Sequence, residues 1–168
     1  MTVSFFLGGA RSGKSRRAQG LCEAASTRRL YIATAEALDD EMAQRIALHQ
    51  SDRGEGWRTL EAPLELTASL GQAEEREVIL IDCLTLWLSN LMHHQRDIAA
   101  EIDRLCQALS ATRHDVFIVS NEVGMGLVPE TSLGRAFRDE QGRLNQAVAA
   151  VADMVEFVAA GLPLRLKG

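Results

Sequence analysis

The chain has 168 residues, 46% of them hydrophobic and 24% charged, with a formal net charge of −5. That composition excludes a disordered chain, and the negative balance argues against a sequence-independent nucleic-acid binder. No apolar run approaches the roughly 18 residues that span a bilayer, and Cys22, Cys83 and Cys106 are too few and too far apart for a disulfide framework or a metal clip, which suits a reducing cytoplasm.

The N-terminal stretch from Met1 to Leu7 has no basic segment, so a signal peptide is not expected. Phe5-Phe6-Leu7 predicts a buried strand that ends at Gly8-Gly9. A helix follows from Lys14, with Ala18, Leu21, Cys22 and Ala25 on one face. Leu30-Tyr31-Ile32-Ala33 predicts a second strand, and Asp39-Asp40 supplies N-cap chemistry for a helix reaching about Gln50. Trp57 to Leu60 predicts a third strand, and Pro63 suits the first turn of a short helix. Val78-Ile79-Leu80-Ile81 is the clearest strand, apolar on both faces as a parallel sheet requires.

Ile98, Ile102, Leu105, Cys106 and Leu109 mark an amphipathic helix, and Val116 to Val119 another buried strand. Leu133, Phe137, Leu144, Val148 and Val151 mark a long helix with a candidate interruption at Gly142. Met154 to Val158 and Leu162 to Leu166 predict two closing strands. Neither repeat nor linker stands out, so residues 1–168 read as one domain. The alternation predicts an α/β fold with a mainly parallel sheet, helices on both faces, and ligands beyond the carboxyl ends of the strands.

Gly8-Gly9-Ala10-Arg11-Ser12-Gly13-Lys14-Ser15 fits the pattern G-x-x-x-x-G-K-[ST] in full. Glycines let the backbone wrap around phosphate oxygens, and the N-terminus of the following helix favours anions. Lys14 is positioned to reach the β- and γ-phosphates of a nucleotide, and the Ser15 hydroxyl to ligate Mg²⁺. Composition alone would produce such a pattern in roughly one chain in a thousand of this kind. Lysine is rare here, the other one being Lys167. Asp82, at the end of an apolar strand, fits two roles: a carboxylate for Mg²⁺, or the N-cap of a helix starting at Leu84. Arg11 likewise fits either a phosphate contact or a solvated loop charge.

These features reach only a P-loop nucleotide user. Longer stretches say more. Gly8 to Arg16 resembles the opening of the bifunctional adenosylcobinamide kinase / adenosylcobinamide-phosphate guanylyltransferase family. So do Tyr31-Ile32-Ala33-Thr34-Ala35, Asp39 to Met42, Arg45 to His49, and Trp57 to Glu61. The longest such stretch is Ser120 to Glu130, continuing through Phe137-Arg138-Asp139, Gly142-Arg143 and Asn145-Gln146. Two positions depart from the pattern: Leu7, where the family often has Thr, and Gly54, where it often has Pro. Neither removes a group expected to do chemistry.

The resemblance implies a P-loop NTPase (RecA-like) fold, a homotrimer and two reactions at one nucleotide site. ATP or GTP phosphorylates a hydroxyl of adenosylcobinamide. GMP from GTP is then added to adenosylcobinamide phosphate through a covalent histidyl-GMP. The position matching that histidine is His49, which follows Met42 and Ile46 at helical spacing. Taken alone, a helical histidine reads as a core or surface residue; a neutral imidazole is nevertheless a competent nucleophile. Arg45 lies one helical turn before it. Ala33, Thr34, Ala35 and Glu61 fall at strand ends, and the resemblance assigns them to the nucleotide site. The Asn121–Gly126 segment fits either a corrinoid-side loop or a crossover with left-handed glycines. His93, His94 and His114 lack carboxylate or cysteine partners at ligand spacing, so no zinc site is expected.

Two further readings compete: a monofunctional P-loop small-molecule kinase, and a nucleotide-gated binding module. Kinase chemistry acts at the γ-phosphate and guanylyl transfer at the α-phosphate, and in-line attack needs approach to about 3–3.5 Å. The nucleotide or the His49 segment must therefore move, and residues 39–56 are expected to be mobile, with Gly54 and Gly56 as hinges.

Overall fold

The computed structural model describes residues 1–36 and 54–168. The Asp39–Gln50 helix, Arg45 and His49 lie outside them, as does most of the segment expected to move. Seven strands form one sheet in the order β3-β2-β4-β5-β1-β6-β7. They are β1 (Val3–Gly8), β2 (Arg29–Ala33), β3 (Trp57–Glu61), β4 (Val78–Asp82), β5 (Val116–Asn121), β6 (Met154–Ala159) and β7 (Leu162–Lys167). All neighbours pair in parallel except β6 with β7. The described helices are α1 (Lys14–Ala25), α2 (Leu66–Leu70), α3 (Leu84–His93), α4 (Ile98–Ala111) and α5 (Ser132–Val151).

Each sheet face has its own apolar layer. On one side Phe6, Leu80, Phe117 and Val119 pack with Ala18 and Cys22 of α1. On the other, Phe5, Ile32, Ile79, Ile81 and Ile118 pack with residues of α2 to α5, among them Trp87, Leu105, Leu144 and Val148. Alternate residues of β1 therefore serve opposite layers, as the two-residue period of a strand dictates. Burial of this kind stabilises by about 25 cal/mol per Å² of apolar surface removed from water.

Two expectations need correction. Pro63 lies ahead of α2, whose N-cap is Glu65, so it is not in the helix's first turn. Gly142 does not interrupt α5, which runs unbroken for 20 residues because the Leu144 and Val148 stripe holds that turn against the core. The two closing strands are present as expected and form an antiparallel hairpin. Its two turn residues, Ala160 (φ 51°) and Gly161 (φ 78°), both have positive φ, matching the twist that a two-residue hairpin needs.

Candidate active site

β1 sits between β5 and β6, while the chain leaves it for β2 on the far side of β4 and β5. Strand order reverses there, which opens a crevice at the carboxyl end of β1. The Gly8–Ser15 loop occupies that point. Gly8 has no room for a side chain: a Cβ would overlap the Val158 carbonyl oxygen and lie 2.6 Å from Ser12 Oγ. Gly13 has φ +94°, and a Cβ there would come within 3.0 Å of Gly161 Cα. A Cβ at Gly9 would meet nothing within 4 Å, and Arg11 is the loop's exposed residue with positive φ (55°). Ala10 is also exposed.

Gly13 caps α1 without a side chain, so the first N–H groups of the helix face the cleft. The cleft has a volume of ≈ 610 Å³ and is lined by Arg11 to Arg16 and by Gly161. Lys14 is buried, and its Nζ donates to the Gly9 carbonyl at 3.0 Å, folding the side chain back over the loop. Burial pushes the Lys14 ammonium below its ordinary pKa, while Cys83 and Asp82 oppose that shift. Ser12 is buried too, and its Oγ has no hydrogen-bond partner among the described residues. An unpartnered hydroxyl inside a backbone cradle is suited to a phosphate oxygen.

Asp82 ends β4. Strand register sets Glu61, Ala33, Asp82, Val119 and Phe6 in one row across the sheet. Asp82 therefore lies two strands from β1, close enough for its charge to act on Lys14. The N-cap position of α3 belongs to Cys83, one residue later. Burial raises the Cys83 thiol to about 11, so it stays protonated.

The other strand-end residues are placed differently. Glu61 is exposed on the edge strand, four strands from β1, or roughly 19 Å at ordinary strand spacing. Ala33 is buried and Ala35 half-buried. Thr34 is fully buried, and its hydroxyl is occupied by the Cys83 backbone, donating to the carbonyl at 2.7 Å and accepting from the N–H at 2.9 Å. Its side chain thus ties two strand ends together rather than facing the cleft.

The segment after β5 starts beside the loop. The Glu122 N–H donates to the Gly8 carbonyl at 3.0 Å, and the Asn121 N–H to Thr85 Oγ1 at 2.8 Å. Beneath it, Asn145 Nδ2 donates to the Asn121 carbonyl at 3.1 Å, and Ser120 Oγ donates to Asn145 Oδ1 at 2.8 Å. The Glu122 carboxylate accepts from the N–H groups of Gly124 (2.6 Å) and Met125 (3.1 Å), closing a tight turn. Neither Gly124 nor Gly126 has positive φ, so the left-handed reading of this segment fails. Met125, Leu127 and Val128 are exposed. The segment then leads to a second cleft, ≈ 510 Å³, between Ser89, Met92 and His93 of α3 and Leu133 and Phe137 of α5.

Sequence reading missed Cys83, Thr85 and Gly161 as neighbours of the site. Only Gly161 carried a signal: a three-residue link containing a glycine, Ala159-Ala160-Gly161, between two apolar runs reads as a hairpin. His93 and His94 stack edge to face, and His94 Nε2 is 3.3 Å from a Glu36 carboxylate oxygen. Among the described residues, no three His, Cys, Asp or Glu side chains group as a metal site would require. No described helix is long and apolar enough to cross a membrane.

Comparison with known proteins places the chain in a family. The model of the family described as cobinamide kinase / cobinamide phosphate guanyltransferase matches residues 4–166. The bifunctional adenosylcobalamin biosynthesis protein CobP of Pseudomonas aeruginosa is 47% identical over 165 residues, covering 96% of this chain and 95% of that protein. The corresponding protein CobU of Escherichia coli is 42% identical over 176 residues, covering 95% of this chain and 97% of that protein. Among solved structures, an ATPase of a type III secretion system superposes with TM-score 0.55 at 10% identity, covering 98% of this chain and 56% of that one. That likeness is one of fold: a P-loop NTPase of RecA-like form.

Proposed function

The chain belongs to the cobinamide kinase / cobinamide phosphate guanyltransferase family, and from that premise we propose how its residues divide the two reactions. It is a kinase and a nucleotidyltransferase of adenosylcobalamin biosynthesis. Our finer reading is that ATP or GTP first phosphorylates the aminopropanol hydroxyl of adenosylcobinamide. GTP then supplies GMP to adenosylcobinamide phosphate, giving adenosylcobinamide-GDP. We propose that residues 1–168 act as one catalytic domain, in the cytoplasm, as a homotrimer. The free state of all three cysteines supports the compartment. The exposed leucines 162, 164 and 166 on edge strand β7 support self-association.

The observation that carries the nucleotide reading is the cradle itself: no room for a Cβ at Gly8, a buried Lys14, and a buried Ser12 hydroxyl without a partner among the described residues. In this reading, main-chain N–H groups from Gly8 to Ser15 hold the phosphates, and Lys14 swings from the Gly9 carbonyl onto the β/γ oxygens. Arg11 adds charge at the open side. Ala33, Thr34 and Ala35 form the floor toward the nucleoside, with the Thr34 hydroxyl turned away from it toward Cys83. Glu61, at the far edge, contacts ribose or base. Ser15 and Asp82 are hard oxygen donors, a set that fits Mg²⁺ shared with nucleotide phosphates. When bound, that ion neutralises phosphate charge.

In the kinase step the substrate hydroxyl oxygen bonds to the γ-phosphorus as the bond to the β-bridging oxygen breaks. The nucleoside diphosphate leaves and the hydroxyl proton is released. In the transferase step a ring nitrogen of His49 bonds to the α-phosphorus of GTP and pyrophosphate leaves. A phosphate oxygen of adenosylcobinamide phosphate then displaces the imidazole, which is regenerated. The Asn121–Gly126 segment, its exposed apolar continuation and the α3–α5 cleft form the corrinoid side, since a corrin ring offers broad apolar faces.

The test is intact mass after incubation with GTP and Mg²⁺, for wild type and His49→Ala. A GMP-sized increase in wild type alone, discharged by adenosylcobinamide phosphate, is the expected result. No increase, with the corrinoid still phosphorylated, would leave a monofunctional kinase. No transfer to any corrinoid would leave a binding module.

A further inference from the structure

Glu156 is buried in β6, with 2% of its surface exposed, and a carboxylate so placed is costly unless it is paired. It is paired twice. Arg17 of α1 donates from Nε to Oε2 at 3.0 Å and from Nη2 to Oε1 at 3.2 Å, a two-pronged contact. Arg165 of β7 donates from Nη2 to Oε1 at 3.1 Å. One carboxylate thus joins the helix behind the phosphate loop to both arms of the C-terminal hairpin.

Both joints lead to the same two residues of the loop. Arg17 lies in the first turn of α1, and its N–H donates to the Gly13 carbonyl at 2.9 Å. The hairpin turn reaches the loop directly: the Gly161 N–H donates to the Ser12 carbonyl at 2.8 Å, and Gly161 lines the phosphate cleft. Ser12 and Gly13 immediately precede Lys14. The loop has no side chain of its own at the α1 cap to hold that stretch.

We infer that Glu156 is a positioning residue for the phosphate loop: through Arg17 and Arg165 it holds the Ala160–Gly161 turn against Ser12 and Gly13, so that the turn forms one wall of the nucleotide cleft. Nothing in the sequence pattern marks Glu156, which reads as one polar residue in an apolar strand. The inference rests on the reading of the loop as a nucleotide site. Loss of the clamp frees the turn to draw back and widens the cleft around the phosphates, which weakens nucleotide binding while leaving the corrinoid side untouched.

Glu156→Gln keeps the shape and removes the charge. Kinase kinetics are measured well below its melting temperature, with the Gly161 amide followed by hydrogen exchange. The expected result is a rise of about tenfold in KM for nucleotide, a KM for cobinamide within about twofold of wild type, and faster exchange at Gly161. Arg17→Lys recovers part of the nucleotide KM that Arg17→Met loses. Arg165→Met removes a half-exposed partner and decides the matter if Glu156→Gln does not fold: it gives a rise of about threefold in nucleotide KM with the same exchange signature. Unchanged nucleotide KM with a protected Gly161 amide, whatever the melting temperature does, overturns the inference. If wild type itself binds no nucleotide, the underlying reading of the loop fails instead.

Discussion

Thr34 and Cys83 are joined by two hydrogen bonds, the Thr34 hydroxyl donating to the Cys83 carbonyl at 2.7 Å and accepting from the Cys83 N–H at 2.9 Å. Asn90 adds a third tie, its Nδ2 donating to the Thr34 carbonyl at 2.8 Å. The ends of β2 and β4 are thereby locked beside Asp82. Thr34→Val keeps the shape and leaves both Cys83 main-chain groups without their buried partner. A loss of about 2 kcal/mol follows, read as a drop of roughly 4–8 °C in thermal melting. Thr34→Ser, which retains the hydroxyl, is expected to stay near wild type. Equal melting of the Val variant and wild type would show that the two bonds contribute nothing net.

The glycines of the phosphate loop are unequal. A Cβ at Gly8 would overlap the Val158 carbonyl oxygen, whereas one at Gly9 meets nothing within 4 Å. Gly8→Ala must therefore move backbone, and a loss of about 2 kcal/mol with nucleotide affinity abolished is expected. Gly9→Ala is expected to keep its melting temperature, with any effect confined to nucleotide affinity. Thermal melting with and without GTP distinguishes these outcomes, and similar melting for the two variants would contradict the steric assignment.

Asp82→Asn removes the carboxylate at the end of β4 together with a field that raises the Lys14 ammonium. Burial already holds Lys14 below its ordinary value, so the variant lowers it further. Two effects should appear together in the pH–rate profile: a rate reduced by about 10²-fold, and a basic limb displaced to lower pH. A reduced rate with an unmoved basic limb would separate Asp82 from Lys14.

Among the described residues, three buried carboxylates set the acid side of stability. Glu156 and Glu77 are held below the ordinary carboxylate value chiefly by hydrogen bonds from Arg17 and Arg58. At Glu101 burial acts in the opposite sense, and bonds from Arg96 and Arg104 outweigh it. Because each folded pKa lies below the unfolded one, the unfolded chain binds more protons on acidification. The contribution is fully present above the ordinary value of about 4.3 and is lost as pH falls through the folded values. Melting temperature should be level near neutrality and decline below about pH 4.5. Glu156→Gln should melt lower at neutral pH and decline less steeply in acid, and a variant with an unaltered slope would remove Glu156 from this account.

Much of the molecule is legible in its residue order because the signals are local. Val78 to Ile81 has no polar residue, is short and is rich in β-branched side chains, which points to a strand buried on both faces. Ile98 to Leu109 repeats at helical spacing and is a helix. The glycines, Lys14 and Ser15 stand together in the chain, so their joint chemistry can be read without a fold. Family resemblance extended that reading along nearly the whole chain. Local signals misled where packing or topology had the deciding voice: Gly142 sits inside an unbroken helix because its neighbours are anchored, and Pro63 precedes its helix rather than opening it.

The sequence by itself determined the α/β class, the phosphate loop, the strand-end Asp82 and the family, since each depends on residues close in the chain or on a pattern kept in order. Only the tertiary structure decided which side chains converge. It spends the Thr34 hydroxyl on Cys83, sets Glu61 four strands from the loop, and brings the Ala160–Gly161 turn and Glu156 to a loop about 150 residues earlier. Such contacts follow from strand order and register, and neither is encoded in the spacing of any one segment.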